Sequence, residues 1–173
     1  MKWQSLVIDG FTRVLEILEP ALKGLNKEDM NRQPKPDCNS IGWITWHLTR
    51  GQDAQIADLM GETQIWLKDK WYVKFNRQAD ADDTGYGHTP EEVATFKSPD
   101  SQTQLDYYRA TLEQTKRYIS KLSLTDLDRQ LDEPFQPPPT VGVRIISILA
   151  DCLQHSGEIA YLRGLLKGKG WLE

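Results

Sequence analysis

Apolar residues recur at threes and fours in four separate stretches of this chain, and no stretch alternates with the period of two expected of a half-buried strand. The first stretch carries Trp3, Leu6, Val7, Val14, Ile17, Leu18, Ala21 and Leu25. Pro20 lies late in that pattern and predicts a kink or a restart there. Pro34 and Pro36 then forbid a continuous helix. The second stretch starts at Asn39 or Ser40, either of which can cap, runs through IGWITWHLTRGQDAQIADLMG, and stops at Gly61. From about 62 to 100 the periodicity is lost, although Trp66, Trp71, Tyr72 and Phe75 supply apolar mass. The third helix is expected from roughly Asp100 to Lys121, with Leu105, Tyr108, Leu112, Thr115, Ile119 and Leu122 as its stripe. SLTDLDRQLDEPFQPPPT reads as a rigid extended connector, and Thr140 as the cap of a fourth helix reaching about Lys167. The pattern predicts one domain over 1–173: an all-α four-helix bundle with a long irregular excursion between its second and third helices.

Composition narrows the partners. Hydrophobic residues make up 39% and charged residues 27%, with a formal net charge of −4 and no run of Lys or Arg. A nucleic acid or an anionic membrane would call for a basic footprint, so neither is an expected partner. No apolar stretch reaches the roughly 18–20 residues that cross a bilayer. The opening MKWQSLVIDGF is interrupted by Gln4, Ser5 and Asp9, and does not read as a signal peptide. Cys38 and Cys152 lie in segments of different character and suggest no disulfide framework, so a reducing, cytoplasmic setting is expected.

The chemistry comes from three side chains on two helices. At about 100° per residue, with Ile145 at 0°, Ile148, Cys152, Ile159 and Leu166 define the apolar arc of the fourth helix. His155 then falls near about 280°, inside that arc, and Asp151 near about 240°, at its edge and one turn away. In the second helix, with Ile41 at 0°, Ile44, Leu48, Gln55 and Leu59 face inward and His47 comes at about 240°. A buried carboxylate is costly unless it is paired or coordinated. A divalent cation would satisfy Asp151, His47 and His155 together, and two His with one carboxylate suit Fe²⁺, Mn²⁺, Zn²⁺ or Ni²⁺. The metal-free alternative is an Asp151 carboxylate accepting a hydrogen bond from His155.

The segments NSIGWITWHLTRGQD and TVGVRIISILADCLQHSGEIAYLRGLL resemble the ligand-bearing helices of the DinB-like superfamily. The sharper motifs are the single His in the second helix, and His-x-Gly-Glu-Ile with Leu-Arg after it. The resemblance implies a metal held by one His of the second helix and a His-x₃-His pair of the fourth. Those positions fall on His47, on Asp151 and on His155, so the chain departs from the family pattern by carrying Asp where the pair begins. Aspartate can ligate in place of His and lowers the charge of the site by one. It can equally mark a lost metal. The resemblance further implies a homodimer and a metal-dependent enzyme acting on a small-molecule substrate. Its chemistry would transfer a low-molecular-weight thiol such as bacillithiol or mycothiol to an electrophile. A metal-dependent hydrolase fits the same residues, and a non-catalytic module holding a small ligand or a metal is the rival class.

Other residues take plainer readings. His88 precedes Thr89, Pro90 and Glu92, which spell a helix cap, so it is expected at the surface rather than as a proton shuttle or fourth ligand. Glycines on both sides of Tyr86 would let that loop fold closely over a site. Glu158 is read as a solvated helix residue, with service as an acceptor for a ligating imidazole as the alternative. Trp43 and Trp46 are read as core, and Cys152 as an inert buried thiol.

Overall fold

The computed structural model describes residues 1–168, 170 and 171. Four long helices carry the architecture: α1 (Trp3–Leu22), α3 (Ile41–Met60), α7 (Ser101–Ile119) and α9 (Val141–Lys167). Shorter turns of helix connect them, namely α2 (Lys27–Asn31), α4 (Ile65–Lys68), α5 (Trp71–Lys74), α6 (Pro90–Thr95) and α8 (Leu124–Leu127). Among the described residues there is no β-strand, only an isolated antiparallel bridge from Gln130 to Thr140 at the foot of α9.

The ends of the long helices follow from local chemistry. Ser40, Asp100 and Thr140 each accept a hydrogen bond from the backbone N–H three residues on, at Trp43, Thr103 and Val143. Gly61 closes α3 in the left-handed conformation that costs a glycine nothing. Thr89 and Glu92 form the reciprocal cap expected at the start of α6, with Pro90 in its first turn. Pro20 neither breaks α1 nor restarts it: the helix runs two residues further, to Leu22. Pro20 sits in the last turn, where only one ladder bond is lost, and buried Leu18, Ala21 and Leu22 hold that turn against the core.

Each long helix packs most extensively on two others, α3 on α9 and α7, and α1 on the same pair. Phe11, Val14, Leu18, Ile41, Leu48, Leu112, Ile145 and Ile159 are all buried in the core these helices enclose. α3 and α9 run antiparallel: Cys152 lies beside Gln52, while Arg144, earlier in α9, reaches Gln55, later in α3.

The excursion after α3 is better ordered than its lack of periodicity implies. Single turns such as α4 and α5 are too short to display a 3.6-residue repeat, and Trp66, Trp71, Phe75 and Phe96 are buried beneath them. Two charged residues of α3 tie this segment down. Arg50 is fully buried and donates to the backbone carbonyls of Ala81 at 2.9 Å and Asp83 at 3.1 Å, and to the Gln64 side chain at 2.9 Å. Asp53, also fully buried, accepts from the N–H groups of Ile65 (3.0 Å) and Trp66 (2.9 Å) and from the Tyr107 hydroxyl (2.8 Å). Burial pushes the Asp53 carboxyl up, against the pull of the Trp66 N–H, Tyr107 and Arg50. The Tyr107 hydroxyl is held well above its ordinary range by burial and by Asp53.

Candidate metal centre

His47 projects from the second turn of α3, and Asp151 and His155 from successive turns of α9. One ligand atom from each lies within 4.8 Å of the other two. The two imidazoles approach edge to face, with centroids 5.0 Å apart. The spacing Asp-x₃-His puts both α9 side chains on one stripe, and the antiparallel packing of α3 brings His47 opposite them.

Hydrogen bonds decide which ring nitrogens face one another. His47 Nδ1 lies 2.6 Å from the Thr84 carbonyl oxygen, which can only accept, so Nδ1 carries the proton. His155 Nδ1 lies 2.7 Å from the Glu158 carboxylate, which likewise accepts. With Nδ1 so engaged in each ring, Nε2 is the nitrogen left to offer to the cluster. Asp151 Oδ1 lies 3.5 Å from His155 Nε2. Two imidazoles and a carboxylate thus converge while each ring's Nδ1 meets an outer acceptor, an arrangement common to imidazole ligands. Burial lowers the His47 pKa and so favours the neutral ring, while the bond to Thr84 opposes it.

The donor set fits a first-row divalent ion. Ligand bonds of about 2.0–2.2 Å place neighbouring donors roughly 3–4 Å apart, so small side-chain rotations bring the cluster to bonding range. Asp151 is half exposed and His155 mostly covered, so the cluster meets solvent on its carboxylate side. There it opens into a cleft of about 430 Å³ bordered by Gly51, Gln55, Thr84, Tyr86 and Ser147.

The wall behind His47 is aromatic. Trp43 stacks on the His47 ring with centroids 4.8 Å apart and planes 18° from parallel. Gly85 makes this closure possible: it has φ of +88°, and a Cβ there would come within 2.9 Å of Trp43 and Trp46 and 3.0 Å of His47 Nδ1. The glycine beside Tyr86 thus does fold the loop onto the site. Gly85→Ala is expected to destabilise the fold by about 1–3 kcal/mol, from left-handed strain and the clash with Trp43, Trp46 and His47, as measured by urea denaturation. A loss under about 0.5 kcal/mol would mean the loop moves aside freely.

Two sequence expectations need correction. His88 is not a surface residue: its side chain is 13% exposed, its Nε2 donates to Asp83 Oδ1 at 3.0 Å, and its Nδ1 accepts from Trp43 Nε1 at 3.3 Å. It also stacks on Trp46, and it lies outside the ligand cluster. The local cap is as expected, but the position of the loop decides burial, and the loop folds inward. Glu158, although exposed, is the hydrogen-bond partner of His155 rather than a merely solvated residue. Trp43, Trp46 and Cys152 are buried as expected, and burial pushes the Cys152 thiol up, away from nucleophilic use. Cys38 and Cys152 are both free. The Thr84 carbonyl, which orients His47, was missed because a backbone oxygen has no sequence signature.

No described helix is long and apolar enough to cross a membrane. No curated protein matches the chain. Among solved structures, a conserved protein from Enterococcus faecalis is similar, with 32% identity and a TM-score of 0.90 over 98% of this chain and 99% of that one. The family model of the DinB superfamily matches residues 11–159, a span that includes α3, α7, most of α9 and all three clustered side chains. With that match and the helical architecture in agreement, the chain belongs to the DinB superfamily.

Proposed function

We propose that the chain is a metal-dependent enzyme in which His47, Asp151 and His155 hold one divalent transition metal, and that it transfers a low-molecular-weight thiol to a small electrophilic substrate. The observation that carries the metal reading is the convergence of two imidazoles and a carboxylate within 4.8 Å, with the Nδ1 of each ring held by an outer acceptor. A cation there supplies Lewis acidity, lowering the pKa of a thiol or a water that reaches it.

The chain's own residues do the rest. Thr84 and Glu158 hold the two rings in one tautomer. Asp151 brings a negative charge that offsets the cation and leaves the site less positive than a three-His set would. Trp43 keeps water from the back of His47. Tyr86, almost fully exposed, stands at the mouth of the cleft, where an incoming molecule meets it first. The metal-free alternative needs a protonated His155 bridging Asp151 and Glu158. The 3.5 Å gap to Asp151 is long for such a charged hydrogen bond, which favours the metal.

Zinc, nickel, manganese and iron all suit this donor set. The outward face of α9 leaves Ile146, Leu153 and Tyr161 exposed, which supports a homodimer as the working state. Glu158→Ala is expected to weaken metal binding by about 10–100-fold, because it frees His155 to turn; competition with a chromogenic chelator measures this. Turnover separates catalysis from simple metal storage. The zinc- or nickel-loaded protein should conjugate a low-molecular-weight thiol to a chlorinated aromatic or an epoxide faster than the solution reaction. Stoichiometric metal with no rate above background for any thiol, and no ester hydrolysis, would make the chain a binding module.

A further inference from the structure

The cleft beside the cluster does not end at Asp151. Gln55 on α3 and Ser147 on α9 border both that cleft and a second groove of about 690 Å³. The second groove is floored by Pro137, Pro138, Pro139 and Phe135 of the connector, with Val143 at its side. From His47 to Gln55 is eight residues along α3, or about 12 Å, so the two compartments follow the seam between α3 and α9 for a little over two turns.

Gly51 lies on that seam, one turn from His47. A helical glycine costs roughly 1 kcal/mol relative to alanine, so its presence calls for a reason. Packing does not give one: a Cβ at this position would meet nothing closer than the Gln55 amide at 4.0 Å. What the missing side chain does is leave room along the wall of the first cleft, on the stretch of α3 that runs from His47 to Gln55.

The far compartment is mostly apolar and open to solvent. Phe135 and Val143 are more than half exposed. Its one guanidinium, on Arg144, is already answered by a salt bridge to Glu133 and donates to Gln55 Oε1 at 3.1 Å. The charge there is spent, so the groove does not ask for an anionic ligand.

We infer that this groove is the tail subsite of the proposed metal centre, and that the electrophilic substrate is an elongated molecule whose reactive head lies at the metal and whose uncharged aliphatic or aryl tail lies over Phe135 and the prolines. The inference rests on the metal reading above. Gly51 is the specificity-determining position, since a larger residue there would divide head from tail.

Zinc content and hydroxamate binding, measured on the same purified full chain, test it. Aceto-, hexano- and octanohydroxamate share one chelating head and differ only in tail length. In the zinc-loaded protein, calorimetry should find octanohydroxamate binding at least about tenfold more tightly than acetohydroxamate, since each buried methylene adds up to roughly fourfold. That ratio should fall toward one in Gly51→Leu and in Phe135→Ser. It should persist in Leu165→Ser, which alters a separate apolar surface of α9. Phe135 is exposed, so its replacement reports on the groove even where Gly51→Leu disturbs the bundle. Zinc bound at one equivalent with no dependence on tail length would overturn the subsite and leave the metal centre standing. A ratio unaffected by both groove variants would also overturn it. Failure to take up zinc would remove the metal centre and the subsite together.

Discussion

His155→Ala is expected to strip the protein of stoichiometric metal while leaving its helical circular dichroism essentially intact. His155 contributes a lone pair at Nε2 and is the nearer neighbour of Asp151, so its loss leaves His47 and a half-exposed carboxylate, too few donors for tight binding. The fall in affinity should exceed the roughly 10–100-fold expected when only an outer partner such as Glu158 is lost. The helix itself has little stake in the ring: Cys152, Ser156 and Ile159 supply the buried contacts of that part of α9, and alanine is the strongest helix former. Asp151→Asn is the companion variant, keeping size while removing charge, and it should weaken binding less than His155→Ala does. Metal retained at one equivalent with unchanged affinity in His155→Ala would show that the ligands lie elsewhere.

Asp53→Ala should cost about 3–5 kcal/mol of stability, a large share of the 5–15 kcal/mol that holds a typical domain together. The side chain removed is fully buried and accepts from two backbone N–H groups and a tyrosine hydroxyl. Its loss strands all three donors and leaves the buried Arg50 guanidinium, 3.6 Å from the carboxylate, without its one anionic neighbour. Because Arg50 also grips the carbonyls of Ala81 and Asp83, the damage should spread to the adjoining Thr84 and so to the orientation of His47. Metal affinity should therefore fall in this variant although Asp53 is no part of the cluster. Urea denaturation measures the first effect and chelator competition the second. A stability change under about 1 kcal/mol would mean that water or a shifted backbone satisfies these groups.

What the sequence revealed divides along the range of the interactions concerned. The caps at Ser40, Asp100 and Thr140 and the stop at Gly61 depend on residues within one turn, so they are readable in order along the chain. The convergence of His47 with Asp151 and His155 was also legible, because angular position on a helix follows from the count of residues and both helices bury their apolar arcs. The Arg50–Asp53–Tyr107 network was not. Arg50 and Asp53 sit on a face of α3 that becomes buried only because the excursion folds over it, and Tyr107 lies more than fifty positions away. A pair of opposite charges, Arg50 and Asp53, one turn apart in the middle of α3 was the available hint. His88 was misplaced for the same reason: its cap motif is local, but the aromatic pocket formed by Trp43 and Trp46 belongs to α3. Glu158 shows the limit from the other side, since one turn of spacing allowed the bond to His155 without requiring it.

The central claim is that one cation is shared by two helices far apart in the chain, and diffraction from crystals soaked in zinc, with anomalous data collected across the zinc edge, tests it most directly. The account predicts a single strong peak about 2.0–2.2 Å from His47 Nε2, His155 Nε2 and an Asp151 carboxylate oxygen. A peak held by other side chains, or well-ordered density for all three residues with no anomalous signal between them, would contradict it.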